Sequence, residues 1–147
     1  MSLGEKRSKR LAKELRMLQN SKEDYIKDVK IIESDMDHWV VSFEDSCLPE
    51  HLACLDVYID FPEGYPFCPP KIRIPNCHHP NIFKTGQLCI SLLDTPSTQL
   101  PGSDCSIDEM WRPSLHIENV LLGTKLVLES PNVASPANVD ASKLYKR

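Results

Sequence analysis

The sequence predicts an α+β domain, on three observations. An amphipathic charged segment opens the chain, four strand-like segments follow with connections too short for crossover helices, and two helical segments close it after a long aperiodic stretch. At 147 residues the chain is read as one domain, 1–147, long enough to bury a core without staples or metal. Its 41% hydrophobic and 26% charged residues are ordinary for a globular protein and exclude wholesale disorder. Its apolar runs are far shorter than the ~20 residues a membrane span needs. No apolar block stands near the N-terminus, so no secretory signal is expected and a cytoplasmic setting is read.

Residues 2–19 form the first helix, with Ser2 and Glu5 at capping-box spacing and Leu11, Leu15 and Leu18 on one face. Tyr25 to Ile32 and His38 to Phe43 read as strands. Leu55, Val57, Ile59 and Phe61 alternate with Asp56, Tyr58 and Asp60, the pattern of a half-buried strand, and 71–74 is a fourth short one. These four make an antiparallel meander. Residues 62–70 are a proline-locked loop, and 75–113 show little periodic structure. A long central helix spans 116–130, with Ile117, Val120, Leu121, Leu122, Val127 and Leu128 as a broad apolar face and Pro131 as its stop. A short C-terminal helix begins near Asn138.

Net charge is −4, unevenly spread. Six Lys/Arg against two acids leave +4 over residues 1–16 and −8 over the rest. The basic end suggests a docking surface, and the acidic body argues against nucleic-acid binding. The six cysteines, at 47, 54, 68, 77, 89 and 105, contain no Cys-x-x-Cys pair, so they read as reduced thiols. A zinc set from Cys77, His78 or His79, Cys89 and Cys105 is the rival reading, with a spacing that fits no zinc pattern.

The aperiodic stretch is where chemistry is expected, because loops beyond about 12–15 residues are usually functional or disordered and this one carries Ile82, Phe83, Leu88, Ile90 and Trp111. His79-Pro80-Asn81, with Cys89 eight residues after the asparagine, resembles the active-site signature of ubiquitin-conjugating enzymes. Phe61-Pro62, Tyr65-Pro66-Phe67 and Pro69-Pro70 resemble that family's proline-rich loop, and Trp111 with Pro113 its step into the long helix. Ser135-Pro136-Ala137-Asn138 and the basic Lys9-Arg10 to Lys13-Glu14-Leu15 stretch resemble two more of its motifs, in the same order.

The resemblance implies the ubiquitin-conjugating fold and a transferase with no cofactor of its own. An ATP-driven activating enzyme would load ubiquitin on Cys89 as a thioester, and a RING-type ligase would pass it to lysines of protein substrates or of ubiquitin. Asn81 would donate to the oxyanion, and His79 would hold the loop carrying Asn81 rather than act as a base. Ser135 stands at a gate position where the family often has an acid, with Asp94 and Asp140 as candidate substitutes. Phe67, Pro113 and Ser114 would face the ligase, and Lys9, Arg10 and Lys13 the activating enzyme. The 21 residues between Cys89 and Trp111 resemble the branch with an extended acidic loop, whose members build degradation chains for the proteasome, although Thr98-Gln99-Leu100 stands where paired acids are expected. That branch adds the nucleus and the cytosolic face of the endoplasmic reticulum as settings. The resemblance also implies a final helix that this chain, ending at Arg147, does not carry.

Overall fold

The computed structural model describes residues 2–52, 55–96, 107–133 and 136–145. Helix α1, Leu3–Gln19, starts where expected: the Ser2 hydroxyl accepts from the Glu5 N–H at 3.1 Å, satisfying one orphan donor of the first turn. Its buried residues are Leu11, Leu15, Leu18 and, against the pattern of a solvated charge, Glu14.

Strands β1 (Ile26–Ile32), β2 (Asp35–Phe43), β3 (Asp56–Asp60) and β4 (Lys71–Arg73) form one antiparallel sheet in the order β1-β2-β3-β4. The register places Val41 opposite Val57 and Trp39 opposite Ile59, so large side chains fall on one inner face. Trp39, Val41, Val57, Ile59 and Ile72 are all fully buried there. The β1–β2 turn runs through Glu33 and Ser34, both at positive φ (52° and 60°), which matches the twist of a two-residue hairpin.

Helix α2, Ile117–Glu129, buries Ile117, Val120, Leu121, Thr124 and Leu128. Leu122, expected on the apolar face, is instead 45% exposed, because the helix buries a stripe narrower than its apolar content. Helix α3, Val139–Tyr145, is capped by Asn138, whose side-chain oxygen accepts from the Ala141 N–H at 3.1 Å. Among the described residues, no helix is long and apolar enough to cross a membrane.

The stretch read as aperiodic has local order of its own. Residues 82–88 make a small hairpin, with Ile82 bridged to Leu88 and Gly86 at φ +96° in its turn. The hairpin lies along β4: the Ile74 N–H donates to the Gly86 carbonyl at 2.8 Å, and the Leu88 N–H to the Ile72 carbonyl at 2.9 Å. These partners are more than ten residues apart in sequence, so no local period could reveal them.

Candidate active site

Two sets of residues define this end of the molecule. The first is a buried polar hub around Glu14, which is 2% exposed. Its carboxylate accepts from the Tyr65 hydroxyl, from the Ile117 N–H at the start of α2 (2.9 Å) and from the Arg10 guanidinium (3.3 Å). A buried carboxylate is tolerated because each of these donors replaces lost water. Burial, then the hydrogen bond to Glu14 and that carboxylate's charge, pushes the Tyr65 hydroxyl well above its usual range, so it stays a donor. Arg10 also donates to the carbonyls of Pro113 and Leu115 and lies 5.3 Å from the centre of the Tyr65 ring. Of the three basic residues expected to face an activating enzyme, Lys9 and Lys13 are exposed, whereas Arg10 is turned inward and occupied. Charge count alone could not separate them.

The proline-locked loop joins this hub. The Trp111 indole N–H donates to the Pro66 carbonyl at 2.8 Å, bringing the loop beside the segment that leads into α2. Phe67, Pro113 and Ser114 are all exposed here, Phe67 at 69%. The phenyl ring does not pack the loop; it stands free beside prolines.

The second set is the Cys89 strip. The Cys89 N–H donates to the Asn81 carbonyl at 2.8 Å, which pins the cysteine to the His-Pro-Asn segment. Cys89 is half-buried, and burial, followed by the charge of Asp94, holds its thiol above the ordinary cysteine value. After Cys89 the chain makes one 3-10 turn, Ser91–Leu93. It packs close under α2 at Gly123, where an added Cβ would lie 2.9 Å from Leu92 Cδ1. The segment then closes on itself, with the Trp111 N–H donating to the Asp94 carbonyl at 2.9 Å.

Asn81 is 3% exposed and clamped from both sides. Its Nδ2 donates to the Asn132 carbonyl at 3.0 Å, and its Oδ1 accepts from the Asn132 N–H at 2.9 Å. Nδ2 carries two hydrogens, so one remains after this clamp. His79 is fully buried, and its Nδ1 accepts from the Asn81 N–H at 3.0 Å, which places the ring's proton on Nε2. With its Nδ1 lone pair so used, the ring holds the loop's shape. The Pro80 carbonyl accepts from the Ala137 and Asn138 N–H groups at 2.7 and 2.9 Å, tying α3 to the same segment.

Ser135, Cys54, Cys105, Asp104 and Thr98-Gln99-Leu100 lie outside the described residues. The described cysteines, Cys47, Cys68, Cys77 and Cys89, are free thiols. Cys77 is pushed up to about 11 by burial, which makes it a poor nucleophile at neutral pH. Among the described residues no group of His, Cys, Asp or Glu is arranged to hold a metal ion.

The chain matches the ubiquitin-conjugating enzyme family over residues 10–147, which spans the sheet, the Cys89 strip and both later helices. The chain belongs to the ubiquitin-conjugating enzyme family. It is 38% identical over 104 residues to human "Ubiquitin-conjugating enzyme E2 G2", covering 70% of this chain and 61% of that protein. It is 43% identical over 88 residues to "Ubiquitin-conjugating enzyme E2-34 kDa" of Saccharomyces cerevisiae, covering 59% of this chain and 29% of that protein. A "Ubiquitin-conjugating enzyme E2" of African swine fever virus is 42% identical over 90 residues, covering 60% and 38%. The matched regions thus span less than two thirds of these family members' own lengths.

Proposed function

We propose that this chain accepts ubiquitin as a thioester on Cys89 and passes it to lysine amines. Membership of the family carries this reading, and the chemistry of the strip supports it. A thiolate is both a good nucleophile and a good leaving group, so one cysteine can take and release an acyl group without a cofactor. Burial and Asp94 keep the uncharged Cys89 mostly as a thiol near neutral pH, which limits adventitious alkylation.

Asn81 then has two duties. Its clamp on Asn132 fixes the segment that carries the Cys89 partner carbonyl, and its remaining Nδ2 hydrogen can serve an oxyanion. His79 supports that segment from within the core. The exposed Phe67, with Pro113 and Ser114, forms the ligase-facing patch, since an exposed aromatic beside stiff loops can act as a binding anchor. Lys9 and Lys13 meet the activating enzyme, while Arg10 holds Pro113 and Leu115 from behind. Chain building for proteasomal degradation belongs to the same proposal and depends on the loop between Asp94 and Trp111.

The test is a charging reaction with ubiquitin, its activating enzyme and Mg-ATP, read on a non-reducing gel. The reading expects an adduct that requires ATP and disappears with added thiol. No adduct from folded protein contradicts it.

A further inference from the structure

We propose that the open edge of β1 pairs with the same edge of a second copy of this chain, antiparallel and centred on Val29, so that two four-stranded sheets join into one of eight. The proposal does not depend on the reading of Cys89.

Strand β1 ends the sheet: among the described residues its strand partner is β2 alone. An antiparallel strand with one partner turns alternate N–H and C=O groups to its open side. The Val29 N–H donates to the carboxylate of its own neighbour, Asp28 Oδ1, at 2.9 Å, which marks it as one of the outward groups. The other oxygen of that carboxylate lies 3.4 Å from Lys30 Nζ. Asp28 and Lys30 therefore share the outer face of the strand, and Val29 between them is buried on the inner face. Both charged side chains reach solvent, Asp28 at 50% and Lys30 at 73%. The register of β1 is irregular between Ile26 and Asp28 and between Ile31 and Ile32, which confines regular pairing to the stretch around Val29.

The order of charges selects the occupant. About a two-fold axis at Val29, Asp28 of each copy falls opposite Lys30 of the other. Moving the axis one residue either way would set Lys30 opposite Lys30 or Asp28 opposite Asp28, so the charges fix the register as well as the partner. On pairing, the Val29 N–H passes from the Asp28 carboxylate to the Val29 carbonyl of the second copy, and the freed carboxylate meets the second copy's Lys30. Each group that gives up a partner gains an equivalent one, so no buried donor is left unmade. The same patch serves both copies, and such a contact closes at two. The paired stretch is short, and interfaces below about 1,200 Å² are weak or transient, so the dimer is expected at a chain concentration on the order of 10⁻⁴ M.

The experiment is sedimentation equilibrium of the whole chain from about 10 µM to about 1 mM, a range that brackets the expected midpoint. A reducing agent keeps the free thiols from cross-linking. Wild type should pass from monomer to dimer, less readily as salt rises. Asp28→Lys and Lys30→Asp should each weaken the dimer by about tenfold or more, because each sets two like-charged pairs across the axis. The double exchange, Asp28→Lys with Lys30→Asp, restores opposite charges at both places and should return to within about threefold of wild type. That recovery also shows that the single variants failed through charge and not through folding. Leu126→Ser, on the exposed side of α2, should dimerise like wild type. A chain that stays monomeric throughout overturns the proposal; Asp28 and Lys30 would then serve to keep the edge closed. A dimer that neither single substitution weakens, that the double exchange does not restore, or that Leu126→Ser abolishes overturns it too, by placing the contact in another register or on another face.

Discussion

Two carboxylates, Glu14 buried and Asp94 half-buried, are treated in opposite ways. Glu14 is almost wholly enclosed and meets a hydroxyl, a helix N-terminal N–H and a guanidinium. Asp94 is half-enclosed and meets none of these among the described residues. The Cys89 thiol has no side-chain hydrogen bond among the described residues either. Physical chemistry makes the first arrangement a fastener, because each of those donors replaces lost water around the carboxylate. The hub holds the proline loop, α1 and the start of α2 together; the strip is held through its backbone, Cys89 to Asn81 and Asp94 to Trp111.

That contrast can be broken most forcefully at the hub. Glu14→Ala would leave the Tyr65 hydroxyl, the Ile117 N–H and Arg10 without their acceptor. Removing one partner of a buried charged set costs about 3–5 kcal/mol. At roughly 2–4 °C per kcal/mol for a chain of this size, Tm should fall by about 10 °C. A shift within about 2 °C in a thermal melt would mean that the hub does not hold these elements together.

Asn81 sharpens the comparison, because its side chain is clamped on Asn132 and is also proposed to serve the oxyanion. Asn81→Ala loses two buried hydrogen bonds, at about 1 kcal/mol each, and should also slow transfer by about 10²-fold, as loss of an oxyanion donor does elsewhere. Measuring the melt and the lysine discharge of the same variant separates the two duties. A full stability loss with an unchanged rate would leave Asn81 only its clamp.

Phe67→Ala should leave the melt within about 0.5 kcal/mol, because the ring is already exposed, while ligase-stimulated transfer falls. An unchanged stimulated rate would remove Phe67 from the partner surface. The smallest effect lies on the outer face of the sheet. His38 Nδ1 is 2.7 Å from Asp60, and that hydrogen bond raises the His38 value above 6.5. A histidine raised on folding stabilises fully below its unfolded value and loses that contribution as pH rises through the folded one. His38 is exposed enough that the effect stays below ~1 kcal/mol. The Tm difference between wild type and His38→Asn should therefore be larger at acid than at alkaline pH; equal differences would contradict it.

Much of the frame was legible because its signals are local. Leu11, Leu15 and Leu18 mark α1 by spacing, and the Val57/Ile59 alternation marks β3 by period. The features that were not legible depend on distant partners. Glu14 reads as a surface charge until Tyr65 and Ile117 are folded against it. Arg10 reads as one of a basic trio until the Pro113 carbonyl claims it. The β1–β2 turn carries Glu33 and Ser34 where a sequence reader looks for Asn-Gly. The hairpin at 82–88 is held by β4 rather than by its own pattern. For the site, His79, Asn81 and Cys89 were named together and lie together. Asp94 and Asp140 were named equally; the fold puts Asp94 at the end of the turn that follows Cys89 and pairs the exposed Asp140 with Lys84.

The most direct measurement is intact-mass and gel analysis of the charging reaction with Cys89→Ser beside wild type. Wild type is expected to carry one ubiquitin as a thiol-labile adduct and Cys89→Ser a thiol-resistant ester, with Cys47, Cys68 and Cys77 unmodified in both. A thiol-labile adduct that persists in Cys89→Ser would place the acyl group on another cysteine and contradict the account.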